Sequence, residues 1–180
     1  HNVSDLFEKY FSTFIKDDGE FENPLNIKCL GIISFLYTIP YKNKEVTESI
    51  LEKFDISYND FIDTIDKLDK LELAEIQFEH VKVPEQNLAT FFFYKAFIKD
   101  NLLSFQVLLN SYFENYQNRF TDSIIPANNT FGPQNVMDKI KPELIHYWEL
   151  IRDNNDKSFN FLKSFWFYLQ DQTLEFTYQY

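Results

Sequence analysis

The scarcity of glycine limits what this chain can fold into more than any other feature of its sequence. Glycine occurs only at Gly19, Gly31 and Gly132 among 180 residues. A phosphate-binding loop and a dinucleotide-binding fingerprint each need several closely spaced glycines, so this sequence contains neither motif. Long stretches without turn residues favour helices over a β-sandwich. We therefore predict a mainly helical chain.

Aromatic side chains are expected to fill the interior, because they make up 19% of the chain and phenylalanine alone contributes 21 residues. The length is enough to bury the core of one ordinary domain or two small ones. Cys29 is the only cysteine, which excludes an internal disulfide framework and favours a reducing, cytoplasmic setting. The chain begins at His1 without methionine, and we expect it to be a piece of a larger protein. The longest uncharged apolar run, residues 29–41, is too short to span a bilayer.

The hydrophobic pattern divides the chain into three parts. Residues 1–20 form an N-terminal linker, in which a helix capped by Ser4 is followed by an acidic connector at 17–20. Residues 21–84 are predicted to form a winged-helix domain. Residues 85–180 are predicted to form a helical domain, either a bundle or the start of a helical solenoid.

The winged-helix prediction rests on three apolar periodic segments followed by two short alternating ones, the pattern of three helices and a β-hairpin. His80 is expected in the hairpin turn. The predicted helices span 24–39, 44–53 and 58–71, and the predicted strands span 73–78 and 81–83. In the helical domain, helices are predicted over 85–99, 102–117, 134–152 and 157–180, the last divided near 170–171, and residues 120–133 are expected to be less regular.

Aspartate recurs at every third position of the third predicted helix, at Asp60, Asp63, Asp66 and Asp69. Such a stripe could ligate a hard cation, but helical carboxylates without loop oxygens seldom form a closed cage, so we predict a solvated face and no metal site. A DNA-reading helix at this position should offer Arg, Lys, Asn or Gln. Residues 20–80 carry thirteen acidic and six basic residues, and the whole chain has a net charge of −11. Nucleic acid and anionic membranes are therefore disfavoured as partners.

The remaining reactive residue types form no catalytic constellation. Cys29 lies in an apolar helix, which favours a buried structural thiol. His80 and His146 lack ligand neighbours at helical spacing. The aromatic clusters 91–94 and 165–168 could stack nucleobases, but stacking platforms accompany basic grooves, so core packing is preferred. We predict no catalytic residue, no metal ligand and no enzymatic activity in this chain.

The segment order and the stretch PEQNLATFFFYKAF at residues 84–97 resemble the region that follows the ATPase core in STAND NTPases, the signal-transducing ATPases, and most closely their bacterial members. The likeness extends over most of residues 24–174 and includes the segments 102–105, 131–133 and 161–167. In such proteins the winged helix packs on the nucleotide-binding core, helps to hold the ADP-bound resting form, and rearranges on activation so that the chains oligomerise. A C-terminal repeat array senses the trigger.

The resemblance implies a non-catalytic regulatory region that couples an ATPase core to a sensor, in signal transduction and in antiviral defence. Its partners would be the rest of the same polypeptide and further copies of the chain. ATP or ADP and Mg would belong to the parent protein, with no cofactor in this region. Where eukaryotic members carry a Met-His-Asp motif whose histidine reaches ADP, this chain has residues 83–85, and Pro84 cannot make that contact. Of the functional groups in that motif, Glu85 provides only a carboxylate, and it is the one candidate in this chain for nucleotide sensing.

Two other functions remain open at this point. One is a winged-helix transcription regulator with a helical dimerisation or ligand-binding domain, against which the acidic third helix argues. The other is an independent enzyme that uses a metal ion on the Asp60–Asp69 face.

Overall fold

The computed structural model describes residues 2–15 and 23–178, with the backbone alone for residues 11–15. The prediction of a mainly helical fold is confirmed. The predicted acidic connector at 17–20 lies outside the described residues. Within them, the α-helices are α1 Val3–Ile15, α2 Pro24–Leu36, α3 Lys44–Leu51, α4 Tyr58–Lys70, α5 Gln86–Tyr94, α6 Phe105–Tyr112, α7 Gln117–Phe131, α8 Met137–Ile151, α9 Asn155–Phe165 and α10 Gln170–Tyr178, and the strands are β1 Thr38–Ile39, β2 Glu75–Gln77 and β3 His80–Lys82.

The first helix begins earlier than the sequence indicates. The side chain of Asn2, and not that of Ser4, caps α1, because its Oδ1 accepts the Ser4 N–H at 3.2 Å. Ser4 is instead buried inside the first turn, where its Oγ contacts Lys99 Nζ at 2.9 Å. The Ser4 cap prediction is therefore wrong, since the helix begins at Val3 and Asn2 accepts a hydrogen bond from the first turn.

Helix α2 is the central element of the fold. Asn23 caps it by accepting the Leu25 N–H at 3.0 Å, and Pro24 occupies its first turn, where no N–H is needed. From Asn26 to Leu36 nearly every side chain is buried, as expected for a helix that is apolar on all faces. The helix ends three residues before the predicted Ile39, because Tyr37 adopts φ 69° and the chain turns into β1.

The three strands form one small antiparallel sheet in the order β1-β3-β2. Ile39 pairs with Val81 and Ile76 pairs with the same residue from the other side. His80 is the first residue of β3 and pairs with Gln77, so its prediction in the turn is wrong. Strand β2 is shorter than the predicted 73–78, and β3 has the predicted length but begins one residue earlier. Strand β1 was not predicted, because a two-residue strand leaves no alternation to detect.

The second and third helices of residues 24–83 agree with the sequence to within about two residues. Asn43 and Ser57 cap α3 and α4 by accepting the N–H groups of Val46 and Asp60. A 3₁₀ turn at Glu52–Phe54 extends α3. The face of α4 that carries Phe61, Ile65 and Leu68 is buried.

Helix α5 continues into a π-helical turn, Lys95–Lys99, and the remaining helices follow with short connections. The prediction of irregular structure over 120–133 is wrong for residues 120–131, because α7 runs through Pro126 to Phe131, and it is confirmed for residues 132–133, which leave the helix. Proline removes one intrahelical hydrogen bond, but the buried side chains of Phe120, Ile124 and Phe131 keep the helical spacing that packs α7 into the core. Helix α8 starts at Met137, three residues later than predicted, and the division between α9 and α10 falls at 166–169 instead of 170–171.

Packing between α2 and α5 forms the centre of the core. The backbones approach closely at Gly31, where a Cβ would overlap the Cβ of Ala96, in the π-helical turn that continues α5, and lie 3.4 Å from Phe92 O. Phe35 of α2 extends the contact to α7 through an edge-on ring contact with Phe120 at 4.8 Å. The core thus crosses the predicted boundary at 84/85. No helix in the described part of the chain is both long enough and apolar enough to cross a membrane.

Candidate functional site

An open groove of about 480 Å³ lies between α1, the loop after α4 and the start of α5. Apolar side chains form most of its wall, including Phe7 from α1, Leu73 after α4 and Leu88 from α5. Its lining residues with polar groups are Tyr10, Glu72, Glu85 and Asn87. The groove is therefore lined by Glu85, the candidate from the sequence, and also by Glu72, a carboxylate that the sequence did not single out.

Glu85 lies at the N-cap position of α5 with an extended backbone, φ −119° and ψ 136°. Its side chain makes no capping hydrogen bond and is exposed. A carboxylate repels phosphate, so Glu85 could contact a nucleotide phosphate only through a bridging cation.

Glu72 occupies the left-handed position that closes α4, with φ 59°. The Leu73 N–H donates to Leu68 O at 3.0 Å and the Glu72 N–H donates to Asp69 O at 3.0 Å, which is the hydrogen-bond pattern of a Schellman motif. Glycine is the preferred residue at this position because it has no Cβ to clash. A glutamate here is held in a conformation that costs about 1 kcal/mol.

Helix α1 forms one wall of the groove and is held by a ring contact and an ion-pair cluster. Phe7 stacks on Phe91 with ring centroids 5.1 Å apart. Glu8 Oε1 lies 2.7 Å from Lys95 Nζ and 3.0 Å from Lys99 Nζ, and Lys95 also pairs with Asp100 at 2.7 Å. Burial alone would lower the pKa of Lys95, but its hydrogen bonds to Asp100 and Glu8 raise it above the ordinary value. The π-helical turn places both lysines on the side of α1.

The aspartates of α4 are all exposed, which confirms the predicted solvated face. Asp69 Oδ1 accepts the Ile76 N–H at 2.8 Å and so ties α4 to β2. Across the described residues, no group of three or more His, Cys, Asp and Glu side chains is placed to hold a metal ion. The stripe thus presents separate charges to solvent.

The thiol of Cys29 is fully buried, as predicted. Burial raises its pKa to about 12, against the smaller lowering effect of a hydrogen bond with Thr64. A thiol that stays protonated at neutral pH is a poor nucleophile. His80 and His146 are exposed, at the start of β3 and on α8 respectively, and the structure does not bring them together.

The two aromatic clusters differ. All four residues of cluster 91–94 are buried, which confirms their assignment to the core. In cluster 165–168 the same prediction is wrong for Trp166 and Phe167, which are 56% and 65% exposed. The reason is that α9 ends at Phe165, so the next two side chains leave the packed face.

Tyr37 forms a polar contact that the sequence did not reveal. Its hydroxyl donates to Asp122 Oδ2 at 2.8 Å, and the Arg119 guanidinium lies 3.5 Å from its ring centroid. Burial and the hydrogen bond to Asp122 raise the pKa of this phenol. A tyrosine at positive φ is uncommon for a bulky residue, and here it connects the end of α2 to α7. Nothing in its local sequence signals this role, because both partners lie more than eighty residues away.

Comparison with protein-family models, with curated proteins and with solved structures found no match to this chain.

Proposed function

We propose that this chain is a non-catalytic regulatory and interaction region of a cytoplasmic signal-transducing NTPase of the STAND class. It would couple a nucleotide-dependent change in an ATPase core to a C-terminal sensor, in a setting such as antiviral defence. ATP or ADP and Mg would be bound by the parent protein.

The packing of α2 against α5 is the observation that carries this proposal. The contact at Gly31 and Ala96 is too close to accommodate another methyl group, and the rings of Phe35 and Phe120 extend it to α7. Packed cores move as units because they do not deform continuously. A force applied to residues 24–83 is therefore passed to the helices after residue 85, which is what a coupling arm must do.

The order of elements supports a winged helix over residues 21–84. Helix, strand, two helices and a hairpin follow one another, and β1 joins the hairpin in the order β1-β3-β2. In a winged helix of this order, α4 would correspond to the recognition helix of a DNA-binding member of the class. Because that helix presents Asp60, Asp63 and Asp66 to solvent, the surface suits a basic protein partner better than DNA.

One test concerns the gene. The reading frame upstream of the codon for His1 should encode a phosphate-binding loop of the form G-x-x-x-x-G-K-[S/T]. A complete parent gene that lacks such a loop would contradict the proposal.

A second test uses the full-length parent protein loaded with a fluorescent ADP analogue. Reversing two charges on α4, D63K with D66K, should speed ADP release about tenfold, because it removes attraction to the ATPase core without touching buried residues. The control variant, D138K with E149K, changes the same number of exposed acids on α8 and should release ADP at the wild-type rate. Equal rates in the two variants would refute a role for the α4 face.

One observation supports the alternative function as a transcription regulator, namely the order of the helices that include α3 and α4. Fluorescence anisotropy with a 30-base-pair duplex at about 50 mM and 200 mM salt separates the two functions. We expect no binding at either salt concentration. Binding that weakens steeply with salt would favour the regulator instead.

A further inference from the structure

We propose that the groove between α1, α4 and α5 is a binding site for a small organic cation, with an aromatic or branched apolar body and a protonated amine or guanidinium group. This site goes beyond the proposed regulatory function and does not depend on it. Its walls, its size and its charges each constrain the ligand.

The size of the groove indicates a small molecule. Ligand pockets usually measure about 300–1,000 Å³, and this groove measures about 480 Å³. A stable protein partner would need to cover about 800 Å² on each side, which is much more surface than this recess offers. Leu73, Leu88 and the half-buried ring of Phe7 provide apolar contact for the body of the ligand.

The charge of the groove indicates a cation. Glu72 and Glu85 are its only charged lining residues within the described ranges, and both are exposed. Neither carboxylate has an ion-pair partner in the part of the chain that the structure describes. The nearby cations Lys95 and Lys99 are engaged by Glu8 instead. A protonated amine in the groove that reaches either carboxylate would gain a charge-assisted hydrogen bond.

The helix ends that meet at the groove do not reverse this preference. Helix α5 begins there and contributes partial positive charge, whereas α4 ends there and contributes partial negative charge. The two contributions oppose each other, so the full charges of Glu72 and Glu85 make the electrostatic potential in the groove negative.

Three probes with one apolar body test the proposal: 1-naphthylmethylammonium, the neutral 1-naphthalenemethanol, and the anion 1-naphthylacetate. Each is titrated into the ¹⁵N-labelled 180-residue chain while amide chemical shifts are recorded. The ammonium probe should saturate, shift the amides of Leu73 and Leu88, and bind about tenfold more tightly than the neutral probe, which corresponds to about 1.4 kcal/mol. The anion should bind more weakly than the neutral probe.

Two double variants separate the groove from general surface charge. E72Q with E85Q should weaken the ammonium probe about tenfold and leave the neutral probe unchanged, because only the charge is removed. D138N with E149Q removes two exposed acids on α8 and should leave all three probes unchanged. L88A should weaken all three probes, because it removes part of the apolar wall.

Three results would overturn the proposal. The first is equal binding of the cation and the anion. The second is unchanged affinity of the ammonium probe in E72Q with E85Q, measured on a variant whose amide spectrum remains dispersed. The third is a concentration-dependent shift of the groove amides without any probe, which would mean that a second copy of the chain fills the groove.

Discussion

Moving a methyl group from Ala96 to Gly31 tests whether the close packing of α2 against α5 and its π-helical continuation stabilises the fold. In the variant Gly31→Ala, alanine favours a helix by about 1 kcal/mol. Its Cβ, however, would overlap the Cβ of Ala96, which is attached to backbone and cannot rotate away. Overpacking of this kind costs about 1–3 kcal/mol, so the net loss of unfolding free energy should be about 0–2 kcal/mol.

The partner variant Ala96→Gly should also destabilise. It removes a buried methyl group, worth about 0.8 kcal/mol, and adds about 1 kcal/mol of backbone entropy cost. In the double variant, the new methyl at position 31 occupies the space vacated at position 96 and the helix preferences offset each other. The double variant should therefore be close to wild type, with a coupling energy of about 2–4 kcal/mol that cancels the two single losses.

Urea unfolding followed by tryptophan fluorescence measures all four proteins of this cycle, because the buried Trp148 becomes exposed on unfolding whereas Trp166 is already exposed. A control cycle that pairs Gly31→Ala with a change on α8, Leu144→Ala, should be additive, because α8 does not form this contact. If the Gly31–Ala96 cycle is also additive within about 0.5 kcal/mol, the close approach of α2 and α5 is wrong.

Three further predictions use the same unfolding assay. Phe165→Ala should lower the unfolding free energy by about 3–5 kcal/mol because its ring is buried, whereas Phe167→Ala should change it by less than about 0.5 kcal/mol because its ring is exposed. Equal losses in the two variants would refute the boundary of α9. Tyr112→Phe should stabilise by about 1 kcal/mol at neutral pH, because the hydroxyl is buried with no partner among the described residues. Burial also raises the pKa of Tyr112 to about 12, so the unfolded chain loses this proton first as pH rises above 10. The unfolding free energy of the wild type should therefore fall more steeply between pH 10 and 12 than that of Tyr112→Phe. Parallel curves of unfolding free energy against pH would contradict the raised pKa. Glu72→Gly should stabilise by about 1 kcal/mol, and Asp55→Gly, at the equivalent left-handed position after the 3₁₀ turn, should do the same; a loss in both would contradict the assigned backbone.

The helical elements were predictable where a cap and an apolar face agree. Ser57 followed by the spacing of Phe61, Ile65 and Leu68 places α4 to within one residue, because both signals depend on residues close in sequence. Local signals failed at Pro126, where buried neighbours on both sides keep α7 continuous and tertiary packing outweighs the missing hydrogen bond.

The candidate site was predictable only in part for a related reason. Glu85 drew attention through a resemblance, but the groove requires residues from α1, the end of α4 and the start of α5. Glu72 gave no signal, because the sequence does not reveal a left-handed conformation at a glutamate. Tyr37 and Asp122 meet only because α2 and α7 pack together, and no local pattern encodes a contact over that separation.

The groove and the docking of α1 should be linked, because α1 supplies one wall of the groove. Phe7 is half-buried, which is worth about 1 kcal/mol, and the partly exposed pairs of Glu8 with Lys95 and Lys99 add about 0.2–1 kcal/mol each. A ligand at a concentration of 100 times its Kd adds about 2.7 kcal/mol to the state that binds it, so it should double the stability of docking. Hydrogen exchange of the α1 amides should therefore slow about a hundredfold when the ammonium probe saturates the groove, while the amides of α8 exchange as before. Equal slowing in both helices would mean that the probe stabilises the whole fold, and that α1 does not open separately.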